Sequence, residues 1–231
     1  ASLSEIRSGG FEFINPLLEC NVGGEGVEFK ELKLFKSKVS AVVNQKLDSG
    51  LASHMSVYFR DLNNGPWFGI NEKETFSPAS LLKTLFMVAA LKQAETDPSF
   101  LHKEVLFLNQ KLDNAEPFFK PSQVLEIGKS YSMDHLITRM VAYSDNRAKD
   151  LLLLNLDGKI LEKAYDDLGI TKPSSTDQED FMSVKNYASI FRMLYNASYL
   201  NKNISNKALD LLTQTEFDRG LVLGVPDNVK I

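Results

Sequence analysis

The stretch SPASLLKTLFMVAAL, residues 77–91, decides the fold more than any other part of the chain. Serine is a favoured helix cap and proline is favoured at the first helical position, so Ser77 and Pro78 predict the start of a helix. The residues that follow are apolar on nearly every side of that helix, with Lys83 as a charged exception. A helix of this kind is buried in the middle of a domain. We therefore predict a core helix that carries a lysine near its N-terminal end.

The head of this helix also contains the pattern S-x-x-K, at Ser80 and Lys83. Residues three apart share a helix face, so the Ser80 hydroxyl and the Lys83 amine can meet. A serine needs an adjacent base to become a nucleophile, and a lysine in apolar surroundings near the positive end of a helix can be that base. The unpaired N–H groups of the first turn can stabilise an oxyanion. The alternative is structural, with Ser80 capping the helix and the Lys83 side chain extending to the surface.

A second polar cluster, Ser144-Asp145-Asn146, lies between two predicted helices, 133–140 and 147–156. A hydroxyl at this place can relay a proton between the lysine and a leaving group, and the amide of Asn146 can hold a substrate amide. We expect Asp145 to brace the loop or to cap the following helix. The alternative is an ordinary turn between two helices, with no chemical role.

Outward from these motifs, the chain contains a helix, a hairpin and then a series of helices. Apolar residues recur at helical spacing over 28–47, and two short strand-like segments, 55–59 and 67–70, flank a turn rich in Asn, Gly and Pro. Beyond the core helix and the two helices beside the polar cluster, we predict helices at 160–168, 183–194 and 206–213. This order of elements indicates an α+β fold.

The composition excludes several classes of protein. The chain has 26 basic and 30 acidic residues, a net charge of −4, whereas a nucleic-acid binder is normally basic. The longest apolar run, 81–91, is much shorter than the roughly 20 residues of a membrane span. Cys20 is the single cysteine and can form no intrachain disulfide. His54, His102 and His135 lack metal-ligand spacing, so we expect them in surface or core roles and expect neither a metal nor a cofactor.

The two motifs resemble those of the penicillin-recognising serine enzymes, the class A β-lactamases and penicillin-binding proteins. The match consists of PASLLK at 78–83 and YSDN at 143–146, in that order and with a hairpin before the first. The resemblance extends from about residue 30 to the end of the chain. It implies a β-lactamase/transpeptidase-like α+β fold, in which a mostly helical subdomain accompanies an antiparallel sheet.

Carried over to this sequence, the resemblance implies a role for each motif residue. Ser80 would be the acylated nucleophile, and its N–H would form half of the oxyanion hole. Lys83 would act as general base, and Ser144 would pass a proton to the leaving nitrogen. Asn146 and Tyr143 would bind the substrate, a small β-lactam or a peptidoglycan-type peptide. The protein would then be a serine hydrolase of the β-lactamase type.

One departure from the family pattern keeps other activities open. In class A enzymes a glutamate on a long loop activates the deacylating water, but here the loop 170–179 is short and contains no E-x-x-L-N pattern. Glu179 is the nearest candidate for that carboxylate, and the alternative is a solvated loop charge. Slow deacylation would correspond to a D-alanyl-D-alanine peptidase, a penicillin-binding protein or an esterase. A non-catalytic binding protein with the same fold is the third alternative.

The second departure concerns the third family motif, K-[ST]-G on a C-terminal strand, which does not occur in the sequence. The family pattern therefore predicts three parts: an irregular extension 1–27, an incomplete α/β part made of 28–76 and 214–231, and a helical part 77–213 that carries both motifs. We expect a continuation, a cleaved partner chain or a swapped element to supply the remaining strands. The resemblance implies a periplasmic or secreted protein, although residues 1–10 show no signal peptide.

Overall fold

The computed structural model describes residues 4–21, 32–63, 65–108, 122–173, 180–217 and 220–226. The chain forms two compact units, one made of Ala1–Pro78 with Leu168–Tyr199 and the other of Ala79–Asp167 with Leu200–Ile231. The second of these contains Ser80, Lys83 and the Ser144 cluster. These units differ from the predicted parts: 1–27 and 168–199 belong with the N-terminal part of the chain, and 214–231 belongs with the helical part.

The motif-bearing unit is built around one buried helix, α2 (Lys83–Thr96). This helix packs against four others, and its buried residues include Leu85, Met87 and Leu91, which have no exposed surface. The four are α3 (Met133–Ala142), α4 (Asn146–Leu153), α5 (Gly158–Asp167) and α7 (Lys202–Thr213). The prediction of a core helix is therefore confirmed, and with it the helices on either side of the polar cluster.

The start of the core helix differs from the prediction. A 3₁₀ turn spans Ala79–Leu82 and the α-helix begins at Lys83, so Ser77 is not its cap. The reason is the backbone of Ala79, whose φ of +46° lies in the left-handed region. A right-handed helix cannot pass through such a residue, so the α-helix starts only after it.

Side chains cap the helices that border the motifs, because the first N–H groups of a helix have no partner within it. Ser132 accepts a hydrogen bond from the N–H of His135 at the start of α3, and Asn201 accepts one from Ile204 at the start of α7. The unit also contains a short antiparallel pair, β6 (Glu104–Leu106) with β7 (Ser130–Ser132), which leads directly into α3.

The other unit begins with two strands where the sequence predicted irregular structure. Strand β1 (Ser4–Arg7) pairs with β2 (Leu17–Asn21) in antiparallel fashion. Gly9 and Gly10 lie between them with φ values of +57° and +82°. Glycine adopts such angles without strain, so residues that indicated irregularity belong instead to the loop that reverses the chain.

The predicted hairpin is confirmed in the same unit. Strand β3 (Val57–Arg60) pairs with β4 (Trp67–Ile70), and Phe59 stacks on Phe68 with ring centres 5.4 Å apart. Helix α1 (Lys33–Asp48) packs on β4 through Phe35, whose ring meets Phe68 edge to face. The remaining elements are β5 (Thr75–Phe76), β8 (Met182–Ser183), which pairs with β5, and α6 (Val184–Asn196).

The elements together form an α+β fold, as predicted. Each sheet in the described ranges has two strands, and all four pairings are antiparallel. Among the residues that the structure describes, no helix combines the length and the apolar character that crossing a membrane requires.

Candidate active site

Ser80 lies in the 3₁₀ turn that precedes α2, and its side chain is exposed. Residues three apart share one side both in a 3₁₀ turn and in an α-helix, so Ser80 and Lys83, the first residue of α2, are on the same side of the chain. Ala79, with its left-handed backbone, comes directly before Ser80 and separates it from the preceding strand-like segment. The serine is therefore presented at the surface while the lysine one turn later enters the interior.

Lys83 is buried, with 5% of its surface exposed, and its amine lies among oxygen atoms of the Ser144 cluster. Its Nζ donates to the main-chain oxygen of Ser144 at 2.6 Å, to Ser144 Oγ at 3.0 Å and to Asn146 Oδ1 at 2.7 Å. A buried ammonium is very costly unless its hydrogens are bonded, and these three oxygens match its three N–H donors. The side chain therefore does not extend to the surface, and the structural alternative for Lys83 is wrong.

Ser144 itself has a φ of +52°, a left-handed angle that is unusual for a residue other than glycine. The conformation directs its main-chain oxygen and its hydroxyl to the same amine. Strain of this kind costs of the order of 1 kcal/mol and persists only where neighbouring groups hold the backbone in place. The turn at Ser144 is therefore held by specific contacts rather than by local preference.

Asp145 supplies one of those contacts, as predicted. Its Oδ1 accepts hydrogen bonds from the N–H groups of Arg147 and Ala148, at 2.8 and 3.2 Å, and so caps α4. The residue is buried and takes no visible part in the contacts to Lys83. Asn146 follows as the first residue of α4, which aligns its side chain with the lysine.

Tyr143 ends α3, and its ring lies beside the guanidinium of Arg139, with 5.5 Å from the guanidinium carbon to the ring centre. The sequence reasoning overlooked Arg139, and it treated His135 as isolated. The structure places Arg139 beside Tyr143 and joins His135 to it, because Arg139 Nε donates to His135 Nε2 at 2.9 Å. The signal that could have found them is their spacing, since both lie at four-residue intervals before Tyr143.

The remaining predicted site residue, Glu179, lies outside the described residues. Within the described ranges, no group of three or more histidine, cysteine, aspartate or glutamate side chains could hold a metal ion. The described part of the candidate site thus consists of Ser80, Lys83, Ser144 and Asn146 with the turn that supports them. An amine 3.0 Å from a hydroxyl is within the range of direct proton transfer.

Known proteins resemble this chain in sequence profile and in fold. A profile described as "Beta-lactamase enzyme family" matches residues 34–231. The chain belongs to this family. Both motifs, α1 and the β3–β4 hairpin lie within the matched residues, while β1 and β2 lie before them. No curated protein sequence matches the chain.

Solved structures of β-lactamases and of a penicillin-binding protein have the same fold. A class A beta-lactamase from Mycobacterium abscessus superposes with a TM-score of 0.69 at 22% identity, covering 82% of this chain and 75% of that one. A beta-lactamase from Sphaerobacter thermophilus gives 0.69 at 18% identity, covering 83% and 73%. A mutant of PBP-A, as an acyl-enzyme complex with penicillin G, gives 0.68 at 17% identity, covering 85% and 75%. The expected β-lactamase/transpeptidase-like fold is therefore confirmed.

Proposed function

We propose that this member of the beta-lactamase enzyme family is a serine hydrolase that forms an acyl-enzyme on Ser80 with β-lactams or related amides and then hydrolyses it. One observation carries the proposal. The buried amine of Lys83 is bonded to both Ser144 and Asn146, and Ser80 lies one turn before it at the surface. A lysine at the surface, or a serine without a chemical role, would not require these hydrogen bonds beside it. Family membership supports the same class of reaction.

In the first half of the proposed reaction, Ser80 Oγ attacks the substrate carbonyl carbon and Lys83 takes its proton, after the lysine has lost to solvent one of the three N–H protons that it donates in the arrangement described above. The negative charge that develops on the carbonyl oxygen is stabilised in part by the N–H of Ser80. The carbon–nitrogen bond then breaks, and the nitrogen takes a proton from Ser144 Oγ. Ser144 is reprotonated by Lys83, 3.0 Å away, so the proton from Ser80 ends on the leaving nitrogen.

In the second half, water attacks the ester carbon of the acyl-enzyme, releasing the acid product and restoring the Ser80 hydroxyl. A carboxylate that accepts a proton from this water would raise its rate, and Glu179 is the candidate for that role. Asn146 and Tyr143 are proposed to bind the substrate amide beside Ser144. The protein is further proposed to act outside the cytoplasm, since its substrates are β-lactams or peptidoglycan-type peptides.

The test is covalent labelling of the full-length protein with a fluorescent penicillin, followed by mass analysis of the labelled peptide. We expect an adduct on Ser80 that is lost in Ser80→Ala. Ser77→Ala is the matched control, because Ser77 is also exposed and lies three residues earlier, and it should label as the wild type does. Labelling of Ser80→Ala at the wild-type rate would contradict the proposal, because the nucleophile would then be another residue. Absence of any adduct in the wild type would support a non-catalytic binding protein.

A penicillin-binding protein or peptidase with slow deacylation is the second candidate. The likeness to PBP-A, whose structure was obtained as an acyl-enzyme complex with penicillin G, favours it. Turnover of nitrocefin compared with release of D-alanine from a D-Ala-D-Ala peptide distinguishes the two activities. A stable adduct with peptide turnover would establish the second candidate, and rapid nitrocefin turnover would establish a β-lactamase.

The role of Glu179 can be tested in the same assay. If its carboxylate activates the deacylating water, Glu179→Gln should form the adduct at the wild-type rate and lose it more slowly. Asp180→Asn is the matched control, because Asp180 is the exposed acidic neighbour. Equal adduct lifetimes in Glu179→Gln and the wild type would exclude the role.

A further inference from the structure

Four side chains at four-residue intervals lead to the Ser144 turn: Tyr131 in β7, His135 and Arg139 on α3, and Tyr143 directly after α3. The rings of Tyr131 and His135 have centres 5.3 Å apart, Arg139 Nε donates to His135 Nε2 at 2.9 Å, and the Arg139 guanidinium lies beside the Tyr143 ring. Residues four apart lie on one face of a helix, so His135 and Arg139 share a face of α3, and the contacts with the two tyrosines extend them into a continuous row. We call these four residues the α3 row.

Arg139 also contacts the turn through its main chain. Its carbonyl oxygen accepts hydrogen bonds from the N–H groups of both Tyr143 and Asp145, at 3.2 and 3.3 Å. These two N–H groups belong to the residues on either side of Ser144. These two hydrogen bonds and the contact between the guanidinium and the Tyr143 ring place Arg139 on the α3 side of the turn. The turn binds Lys83 through the main-chain oxygen of Ser144.

We propose that Arg139 is a positioning residue for Ser144, and that His135 holds Arg139 in place only while its own ring is neutral, so that acid loosens the Ser144 turn. The proposal rests on the proposed function, since Ser144 is taken there to relay the proton. Its physical basis is the left-handed backbone of Ser144, which neighbouring contacts must maintain. Weaker contacts on the α3 side would let Ser144 Oγ move away from Lys83.

The free-energy cost of burying Arg139 indicates that this residue does not stabilise the folded protein. It is 8% exposed, and its Nη1 has no hydrogen-bond partner among the described residues. An unpaired buried donor costs about 1–3 kcal/mol, so an apolar side chain of similar length would be tolerated as well or better. A residue kept at such a cost beside a strained turn is better explained by orientation of that turn.

His135 can accept the hydrogen bond from Arg139 only when its Nε2 carries no proton, because the imidazolium has two N–H donors and no acceptor. Protonation would also place two cations side by side. Burial lowers the pKa of His135 below its usual 6.5, and the neighbouring Arg139 lowers it further. The ring is therefore neutral above 6.5, and its bond to Arg139 is lost as the pH falls through the lowered pKa.

Other charged groups act on His135 in the opposite direction. The carboxylates of Asp134 on α3 and Glu104 on β6 both raise its pKa, although less than burial and Arg139 lower it. Asp134 itself forms an ion pair with Lys207 of α7 at 2.6 Å. The His135 ring also lies beside the ring of Tyr131. The net effect of all these groups is a His135 pKa below 6.5.

The experiment measures the acylation rate of the full-length protein by a fluorescent penicillin between about pH 4.5 and 8, the range in which histidine titrates. We expect the wild-type rate to fall on the acidic side of pH 6.5. In His135→Gln the amide oxygen still accepts from Arg139 but does not titrate, so the histidine-dependent part of this fall should disappear. His102→Gln is the matched control, because His102 is exposed and outside the α3 row, and it should keep the wild-type profile.

Arg139→Met should lower the acylation rate by about 10- to 100-fold at pH 8, the size of effect that a small misplacement of a catalytic group produces. Its unfolding midpoint should not fall. A wild-type pH profile in His135→Gln, or a wild-type acylation rate in Arg139→Met, would overturn the proposal.

If the wild type forms no adduct at all, the proposed function fails. The proposal about the α3 row is then tested by NMR. The Nε2 resonance of His135 should report a hydrogen-bond acceptor near pH 8. The amide signals of Tyr143 and Asp145 should shift with the His135 midpoint in the wild type and stay constant in His135→Gln. Amide signals that do not follow the midpoint would overturn the proposal independently of any activity.

Discussion

Helices α1 and α2 are similar in length but differ in their surroundings. Of the 14 residues of α2, ten are buried, including Lys83, whereas Val43 is the one buried residue among the 16 of α1. On α1 even apolar side chains such as Leu34 and Val42 are exposed. A helix packed on nearly every side can hold an amine away from water at a fixed place. A helix that is mostly exposed, such as α1, cannot hold an amine in this way. This difference explains why the candidate catalytic lysine lies on α2.

The largest expected effect concerns the lysines of the two helices. Lys83→Met should lower the acylation rate by about 10²- to 10⁴-fold, the contribution of a general base. Lys38→Met on α1 is the matched control, because Lys38 is exposed and should leave the rate unchanged. The rates are measured by single-turnover acylation with a fluorescent penicillin. Equal acylation rates in the two variants would show that the buried lysine of α2 contributes no more to acylation than the exposed lysine of α1.

A second prediction compares leucines. Leu85→Ala on α2 should lower the free energy of unfolding by about 2–5 kcal/mol, because Leu85 has no exposed surface and its removal leaves a cavity. Leu34→Ala on α1 should change it by less than about 0.5 kcal/mol, since Leu34 is 68% exposed. Urea unfolding monitored by circular dichroism measures both. Similar losses would show that α1 is buried in the protein in solution.

A third prediction compares two adjacent valines within α1. Val43 is buried and Val42 is 53% exposed. Val43→Ala should cost about 1–2 kcal/mol of unfolding free energy at roughly 0.8 kcal/mol per buried methylene, and Val42→Ala should cost much less. The same urea titration gives both values. A larger loss for Val42→Ala would reverse the assignment of the buried face of α1.

The smallest expected effect concerns the backbone at the start and in the middle of the segment formed by the 3₁₀ turn and α2. Ala79→Gly removes a left-handed alanine whose side chain is exposed, and it should leave the unfolding free energy unchanged or raise it by up to about 1 kcal/mol. Ala90→Gly, inside α2, should lower it by about 1 kcal/mol or more. Thermal unfolding compares the two variants. A clear loss of stability in Ala79→Gly would show that the left-handed turn before Ser80 carries no strain.

Local patterns allowed a good part of this fold to be predicted. The apolar run at 77–91 predicted a buried helix, and the Ser144 cluster was predicted to relay a proton between Lys83 and a leaving group. The α3 row could not be found in this way, because the pattern of a helix does not say which face of it meets a functional turn. The N-terminal strands were also missed, because glycines look the same in a hairpin loop as in an irregular segment.

The amino-acid sequence alone determined the α+β class, the buried core helix, the Ser144 cluster and the family resemblance, since each follows from local periodicity or from a short motif. The tertiary structure alone decided which atoms meet. It showed that Lys83 Nζ binds two oxygens of Ser144 and one of Asn146, and that Arg139 Nε donates to His135 Nε2. The physical reason is that a left-handed residue is unfavourable by itself. Ala79 and Ser144 adopt that conformation only because packing and hydrogen bonds distant in sequence outweigh the local preference.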